Sequence, residues 1–313
     1  MALSYIFFGT PEFCEPVLQS LKQAGRPPSA VVCQPDRPKG RGRRLEPPPV
    51  KRWALECSVE VLQPDRCKDA GFLDHIRALD PDLGLVFAFG QLLPKELLAI
   101  PRRGFINIHP SLLPKYRGAA PIQWTLINGD EETGVTILKV TPKLDDGDML
   151  LQERVAVDPQ ENAVELGGRL ARLGADLAVR ALELLETGKA EFTPQDESQV
   201  VWAPALTKDD GRIDWTQPAL ALHNRIRGVQ PWPGASTRLG DKTLKIHRAC
   251  PAEARRAEAG LVIRAEGEDL LVGTGDGVLR LLEVQLEGKK RMPVKDFLLG
   301  RPVQAGDRLQ AES

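Results

Sequence analysis

Apolar residues in the first two hundred positions fall into short runs separated by longer amphipathic stretches. The runs are YIFFG at 5–9, AVVCQ at 30–34, VEVLQ at 59–63, LGLVFAF at 83–89, GFINIH at 104–109, TGVTILKV at 133–140 and MLLQERVAV at 149–157. Their length and their content of β-branched and aromatic residues predict buried strands. Apolar spacing near 3.6 residues marks helices at 11–24, 49–57, 68–79 and 162–187, the last stopped by Gly188. Pro11 is expected as the first helical residue, where its missing N–H costs nothing. Strands alternating with helices predict an α/β domain with a mostly parallel, doubly wound (Rossmann-like) sheet covered on both faces. In such sheets ligands bind outside the carboxyl ends of the strands.

The pattern changes after the long helix. Residues 188–207 are polar with scattered apolar positions and read as a surface linker. A short helix is expected at 217–227. Alternating strands with glycine turns follow, which suits an OB-like antiparallel β-barrel. The expected division is a catalytic domain over 1–188, a linker over 189–207 and a C-terminal domain over 208–313.

Composition narrows the class. An apolar content of 42% and a charged content of 27% fit a globular protein. No apolar run approaches the roughly 20 residues of a membrane span, and MALSYIFFG reads as a first strand rather than a leader. Five scattered cysteines without a CxxC pair suit reduced thiols in a cytoplasm. The four histidines lie outside ligand spacing of one another, so no metal is expected. Net charge is −1, yet residues 35–52 hold seven basic residues against Asp36 and Glu46. A local basic loop on a neutral chain suggests a focused phosphate contact.

Candidate chemistry sits at the end of GFINIH. Residues i and i+2 of a strand share a face, so Asn107 and His109 can converge. The segment KLDDGDML at 143–150 offers Asp145, Asp146 and Asp148, with Gly147 permitting a tight turn. An amide, an imidazole and a carboxylate without a Ser or Cys nucleophile among them suit direct acyl transfer between two substrates. The amide and a protonated imidazole would stabilise a tetrahedral oxyanion, and the carboxylate would orient the imidazole. The plainer reading is a structural histidine and an Asn that caps a turn. Pro110 and Pro114 restrict the exit loop, or simply end the strand.

The run NIHPSLLPKYRGAAPIQWTLINGDEETGVTILKV with LDDGDMLLQE resembles the folate-dependent formyltransferase family, whose pattern is N-x-H, a Ser-Leu-Leu-Pro loop and a later Asp-x-Gly. The similarity extends to FFGTPEF, QPDRPKGRGRRLEPPPVK, IRGVQPWPGA and DFLLGR, and so covers nearly the whole chain. It implies transfer of a formyl group from 10-formyltetrahydrofolate to the α-amino group of methionine on initiator tRNA. A monomer that touches no membrane is expected. By position, Asn107, His109 and Asp145 would be catalytic. Ser111, Leu112, Leu113 and Pro114 would border the folate, and the backbone of Phe87, Ala88, Phe89 and Gly90 would bind the pterin. The family's Asp-Thr-Gly here reads Asp145-Asp146-Gly147, and Asp146 should face away if the segment is extended.

In this context the basic loop reads as a tRNA grip formed by Arg37, Lys39, Arg41, Arg43 and Arg44. The run Lys289, Lys290 and Arg291, with Lys242, Lys245 and Arg248, would add contacts from the barrel. PWPG at 231–234 reads as packing and turn chemistry, and Trp124 and Trp215 as core or interface residues. A sugar-nucleotide or small-amine formyltransferase would share the trio without needing either basic patch. A formyltetrahydrofolate hydrolase and an RNA-binding protein with a dead site are further alternatives.

Overall fold

Seven strands of the first unit pair in the order Met149–Ala156, Glu132–Lys139, Phe105–His109, Leu83–Phe87, Tyr5–Gly9, Ala30–Val32, Glu60–Leu62. The computed structural model describes residues 3–39, 44–254, 257–300 and 302–311. The chain forms two compact units. One comprises Met1–Gly118, Glu132–Val155 and Gly167–Trp202; the other comprises Ala119–Glu131, Ala156–Leu166 and Ala203–Ser313.

The five strands from Glu60–Leu62 to Phe105–His109 pair in parallel, and Glu132–Lys139 joins Phe105–His109 antiparallel. Two faces of cover explain why the parallel strands lack alternation: Tyr5, Ile6, Phe7 and Phe8 are all buried. The chain runs outward from Tyr5–Gly9 through Ala30–Val32 to Glu60–Leu62, then returns to Leu83–Phe87 on the other side of the first strand. That reversal makes a topological switch point at the carboxyl ends of Tyr5–Gly9 and Leu83–Phe87. Thr10 and Gln34 tie it together, both donating to the carbonyl of Phe89.

The predicted helices are present with shifted ends. Pro11 is extended (φ −78°, ψ 169°) ahead of a short 3-10 turn at Glu12–Cys14, and the α-helix starts only at Glu15. Pro16 rather than Pro11 occupies its first turn, where the missing N–H is harmless. The long helix Ala163–Glu186 opens on a reciprocal cap. Asn162 Oδ1 accepts from the amides of Val164 and Glu165, while Glu165 Oε2 accepts from the amide of Asn162.

The second unit is an antiparallel half-barrel. Its strands run Val262–Glu266, Asp269–Gly273, Val278–Leu286, Lys242–Ala252, Ala235–Leu239, Leu309–Gln310, with Met292–Pro293 added beside Val278–Leu286. Leu244, Ile246, Leu270, Val272, Leu279 and Leu281 face a core shared with Leu222 and Ile226 of the helix Ala219–Gly228. Trp215 is buried there and donates from Nε1 to Thr237 Oγ1 at 2.9 Å. Trp124 packs on the same core and donates to the Pro204 carbonyl. Trp232 differs from the expectation of packing, being 53% exposed. Among the described residues no helix is long and apolar enough to cross a membrane.

Phe8 is the aromatic hub behind the switch point. Its ring meets Phe89 and Phe105 edge-on at 5.4 and 5.3 Å, and all three are buried. Phe8→Ala is expected to cost roughly 3–5 kcal/mol of stability, read as a lowered urea midpoint without a change in slope.

Candidate active site

Strand Phe105–His109 sorts its side chains by alternation. Ile106 and Ile108 face a buried side, and Ile108 is so close to the long helix that a Cβ on Gly174 would stand 2.8 Å from its Cγ2. Phe105, Asn107 and His109 share the other face. Phe105 anchors the strand in the core, and the two polar residues follow at its carboxyl end. His109 is only 4% exposed.

Asp145 reaches this end from the loop before Met149–Ala156. Its Oδ2 accepts from the Gly118 amide at 3.0 Å and lies 3.6 Å from His109 Nδ1. Its Oδ1 is 3.5 Å from Asn107 Nδ2. The three expected catalytic side chains therefore meet around one carboxylate. The segment that supplies it is a turn, not the extended stretch assumed from sequence: Asp145 has φ 52°. Asp146 consequently folds back onto its own loop, accepting from Thr141 Oγ1, and its carboxylate is engaged there. Gly147 is demanded by contact, since a Cβ there would lie 2.0 Å from the Lys139 carbonyl oxygen.

The histidine's partners fix its roles. Nε2 lies 2.9 Å from the backbone carbonyl of Tyr116. A carbonyl only accepts, so Nε2 carries a hydrogen, and Nδ1 is the ring atom turned toward Asp145. Tyr116 itself holds φ 67°. Five described non-glycine residues have positive φ; Ser58 and Asp80 lie at helix ends, while Ala88 follows a strand, Tyr116 lies inside the short strand Lys115–Gly118 and Asp145 lies in a turn, all three around the expected sites. Backbone strain of this kind costs about 1–3 kcal/mol per residue and survives only where surroundings enforce it.

Sequence reasoning missed the residues that do the enforcing. Gln195, in the stretch expected as surface linker, donates from Nε2 to the carbonyls of Asp145 and Gly147, each at 2.8 Å. Its Oε1 accepts from Arg117 Nε at 3.0 Å. Arg117, 3% exposed, is in turn held by both carboxylate oxygens of Glu197, whose carboxyl it keeps below the usual range. Thr193 pairs through both backbone groups with Met149. Arg117 lies within the KYRGAAP run beside the catalytic motif, but nothing in the sequence flags an amide fifty residues beyond Asp145.

The model of the formyl transferase family matches residues 2–182, and that of the formyl transferase C-terminal domain matches residues 205–302. The chain belongs to the formyl transferase family. It is 48% identical over 307 residues to the methionyl-tRNA formyltransferase of Geobacter sulfurreducens, covering 98% of this chain and 96% of that relative. Among solved structures, HypX from Aquifex aeolicus in complex with tetrahydrofolic acid superposes with a TM-score of 0.67 at 19% identity. That match covers 95% of this chain, which spans 47% of the HypX chain. The sugar 3N-formyl transferase WlaRD, in the presence of dTDP and 5-N-formyl-THF, superposes with a TM-score of 0.68 at 16% identity, covering 93% of this chain and 100% of that one. At these identities the two structures speak for the fold.

In this formyl transferase the residues expected at the folate fall into two sets. Phe87, Phe89 and Leu113 are buried as whole residues. The Phe87 and Phe89 carbonyls already accept from Cys14 and from Thr10 and Gln34. Ala88 and Gly90 are exposed at φ 50° and 88° and present open backbone. Leu112 and Pro114 are half-buried. Ser111 is fully buried, its Oγ donating to the Lys115 carbonyl, so it shapes the loop from inside. The loop is pinned further by Thr136 and Gln152, which bond the carbonyls of Ser111 and Leu113. The bond between Leu113 and Pro114 is cis.

The basic residues are equally mixed. Arg37–Lys39 and Arg44–Glu46 pair antiparallel, with Arg37 exposed and donating to Gln34. Arg41 and Arg43 lie outside the described residues, as do the side chains of Lys39 and Arg44. In the second unit Lys242, Lys245, Lys289 and Lys290 are exposed. Arg291 is paired with Glu283 and Arg248 with Glu165. Among the described residues no group of three or more His, Cys, Asp or Glu is arranged to hold a metal.

Gly147→Ala is expected to displace the Asp145 turn, because backbone rather than a flexible side chain blocks the new methyl. Formyl-transfer turnover should fall about 100-fold, the scale of a 1 Å misplacement, while the far-ultraviolet circular dichroism spectrum stays unchanged.

Proposed function

We propose that the chain transfers a formyl group from 10-formyltetrahydrofolate to the α-amino group of methionine on initiator tRNA. The observation that carries this reading is the convergence of Asn107, His109 and Asp145 at one strand end. The relatives' full-length similarity and their name supply the substrate. Residues 1–188 serve as the catalytic domain and 208–313 as a tRNA-binding domain, with 189–207 joining them and supplying Gln195 to the Asp145 turn. The protein acts as a cytoplasmic monomer.

The chemistry follows from the donors and acceptors in place. The substrate amine adds to the formyl carbon, and the carbonyl oxygen gains negative charge. Asn107 Nδ2 and a protonated His109 Nδ1 are the donors that face the carboxylate end of the site and would bind that oxyanion. Each such donor is worth about 10²–10³-fold in rate. Asp145 takes the proton that the amine loses, directly or through a water. The bond from the formyl carbon to the donor nitrogen then breaks as that nitrogen regains a proton. His109 Nε2 stays bound to the Tyr116 carbonyl throughout, which keeps the ring from turning.

Folate would enter against Ala88 and Gly90, whose exposed backbone suits the edge of a flat ring. The exit loop from Ser111 to Pro114 forms the other border. Arg37, Lys39, Arg41, Arg43 and Arg44 would grip the RNA backbone, joined by Lys289 and Lys290 from the second unit. Arg291 would first have to leave Glu283 or keep it as a neighbour.

The deciding experiment offers 10-formyltetrahydrofolate with either methionyl-tRNA or a panel of amino sugars and follows which amine is formylated. Formylation of an amino sugar, with methionyl-tRNA untouched, would replace this reading with the sugar-directed one. His109→Ala should abolish transfer, a loss above about 10³-fold, with tRNA affinity changed less than threefold. Arg41→Ala should weaken catalysis on charged tRNA and lower the slope of log affinity against log salt by about 0.7–0.9, the share of one phosphate contact.

A further inference from the structure

We infer that Gln195, locked by the buried Arg117 and its partner Glu197, is the positioning residue that holds Asp145 for the reaction. The inference rests on the catalytic reading of Asp145 given above.

Asp145 holds a left-handed conformation, φ 52°, which a non-glycine residue avoids without support. The turn it sits in is short of partners of its own: the carbonyls of Asp145 and Gly147 both point to one outside donor, Gln195 Nε2. A primary amide has two N–H groups, and both are spent here. That leaves Oε1 as the handle by which the amide is aimed, and Arg117 Nε grips it at 3.0 Å. With Oε1 fixed on a donor, the amide cannot flip, because flipping would set oxygen against two carbonyl oxygens. Arg117 cannot drift either. Its guanidinium is buried at 3% exposure and clasped by Glu197 with contacts of 2.7 and 3.3 Å.

Sequence neighbours complete the frame. Gly118, the residue after Arg117, gives its amide to Asp145 Oδ2 at 3.0 Å, and Tyr116, the residue before it, gives its carbonyl to His109 Nε2. One tripeptide thus fixes the carboxylate from below, the imidazole from behind and, through Gln195, the backbone of the turn. The function of the amide is geometric: it sets where Asp145 stands relative to Asn107 and His109 without touching the reacting atoms.

The test compares Gln195→Leu, which removes every contact, with Gln195→Glu, which keeps an acceptor for Arg117 but faces the two carbonyls with oxygen. Both should lower kcat about 100-fold while KM for methionyl-tRNA and for 10-formyltetrahydrofolate moves less than about threefold. Glu197→Ala, at the exposed end of the chain of contacts, should fold normally and lower kcat about three- to tenfold. In an Asp145→Asn background, Gln195→Leu should change the residual rate less than about twofold, because the positioned group is already lost. A kcat within twofold of the unaltered protein in both Gln195 variants would overturn the inference. So would a full additional loss in the Asp145→Asn background, which would mean that Gln195 only supports the fold. The two readings separate cleanly. An active Asp145→Asn protein defeats the catalytic assignment, whereas an inactive one beside fully active Gln195 variants defeats the positioning role alone.

Discussion

The carboxylate of Asp145 is the point on which the site turns. It lies in the outer part of a protein interior, with its side chain 11% exposed, where an uncompensated charge is expensive. Compensation arrives from three directions: the Gly118 amide, the Asn107 carboxamide and the His109 ring. Each comes from a different reason in the chain. Strand alternation delivers Asn107 and His109 together, while the short strand Lys115–Gly118 presents its last amide to the carboxylate. The lack of a side chain at Gly147 lets the Asp145 loop approach the Lys139 backbone closely enough to close the group.

Where that group sits is decided by topology rather than by the side chains themselves. Phe105–His109 is the last strand of the parallel series, and its far neighbour Glu132–Lys139 runs the other way. The antiparallel partner ends beside the amino end of that strand, with Lys139 opposite Ile106, so the loop that follows folds back along the strand to bring Asp145 to Asn107 and His109. The switch point, one strand further in, then offers Ala88 and Gly90 on the same side of the sheet as His109, since their strands are parallel. A donor bound at one and an acceptor amine at the other can thus share a single rim.

The sequence disclosed the parts of this plan that rest on periodicity and short spacing. N-x-H at a strand end, the glycine after the acidic pair, and alternating strands and helices were all legible, because each is a local consequence of backbone geometry. Helix starts were less so: Pro11 and Pro16 satisfy the same rule, and only packing selects between them. Trp232 looked like a packing residue because tryptophan usually is, yet its turn leaves half the ring in solvent. Gln195 was invisible for a deeper reason. Its role depends on which carbonyls the fold happens to leave bare, and no residue type announces that. Asp146 was misjudged in its environment alone, through an assumed extended backbone that the positive φ of its neighbour rules out.

Strain and support are matched at this rim. Tyr116 and Asp145 both occupy positive φ, and each has a carbonyl bound by a side chain from elsewhere, His109 in one case and Gln195 in the other. The coupling runs both ways. The imidazole that Tyr116 orients is the one that faces Asp145, and the arginine following Tyr116 is the one that aims Gln195. A relaxed backbone at either residue would release the opposing group as well, so the two strained positions behave as one structural unit. Such mutual dependence is costly to assemble, at about 1–3 kcal/mol for each strained residue, and a larger fold must supply it from its core. What it yields is a carboxylate and an imidazole whose separation is set before any substrate arrives, which is the condition under which fixed dipoles lower a barrier without reorganising.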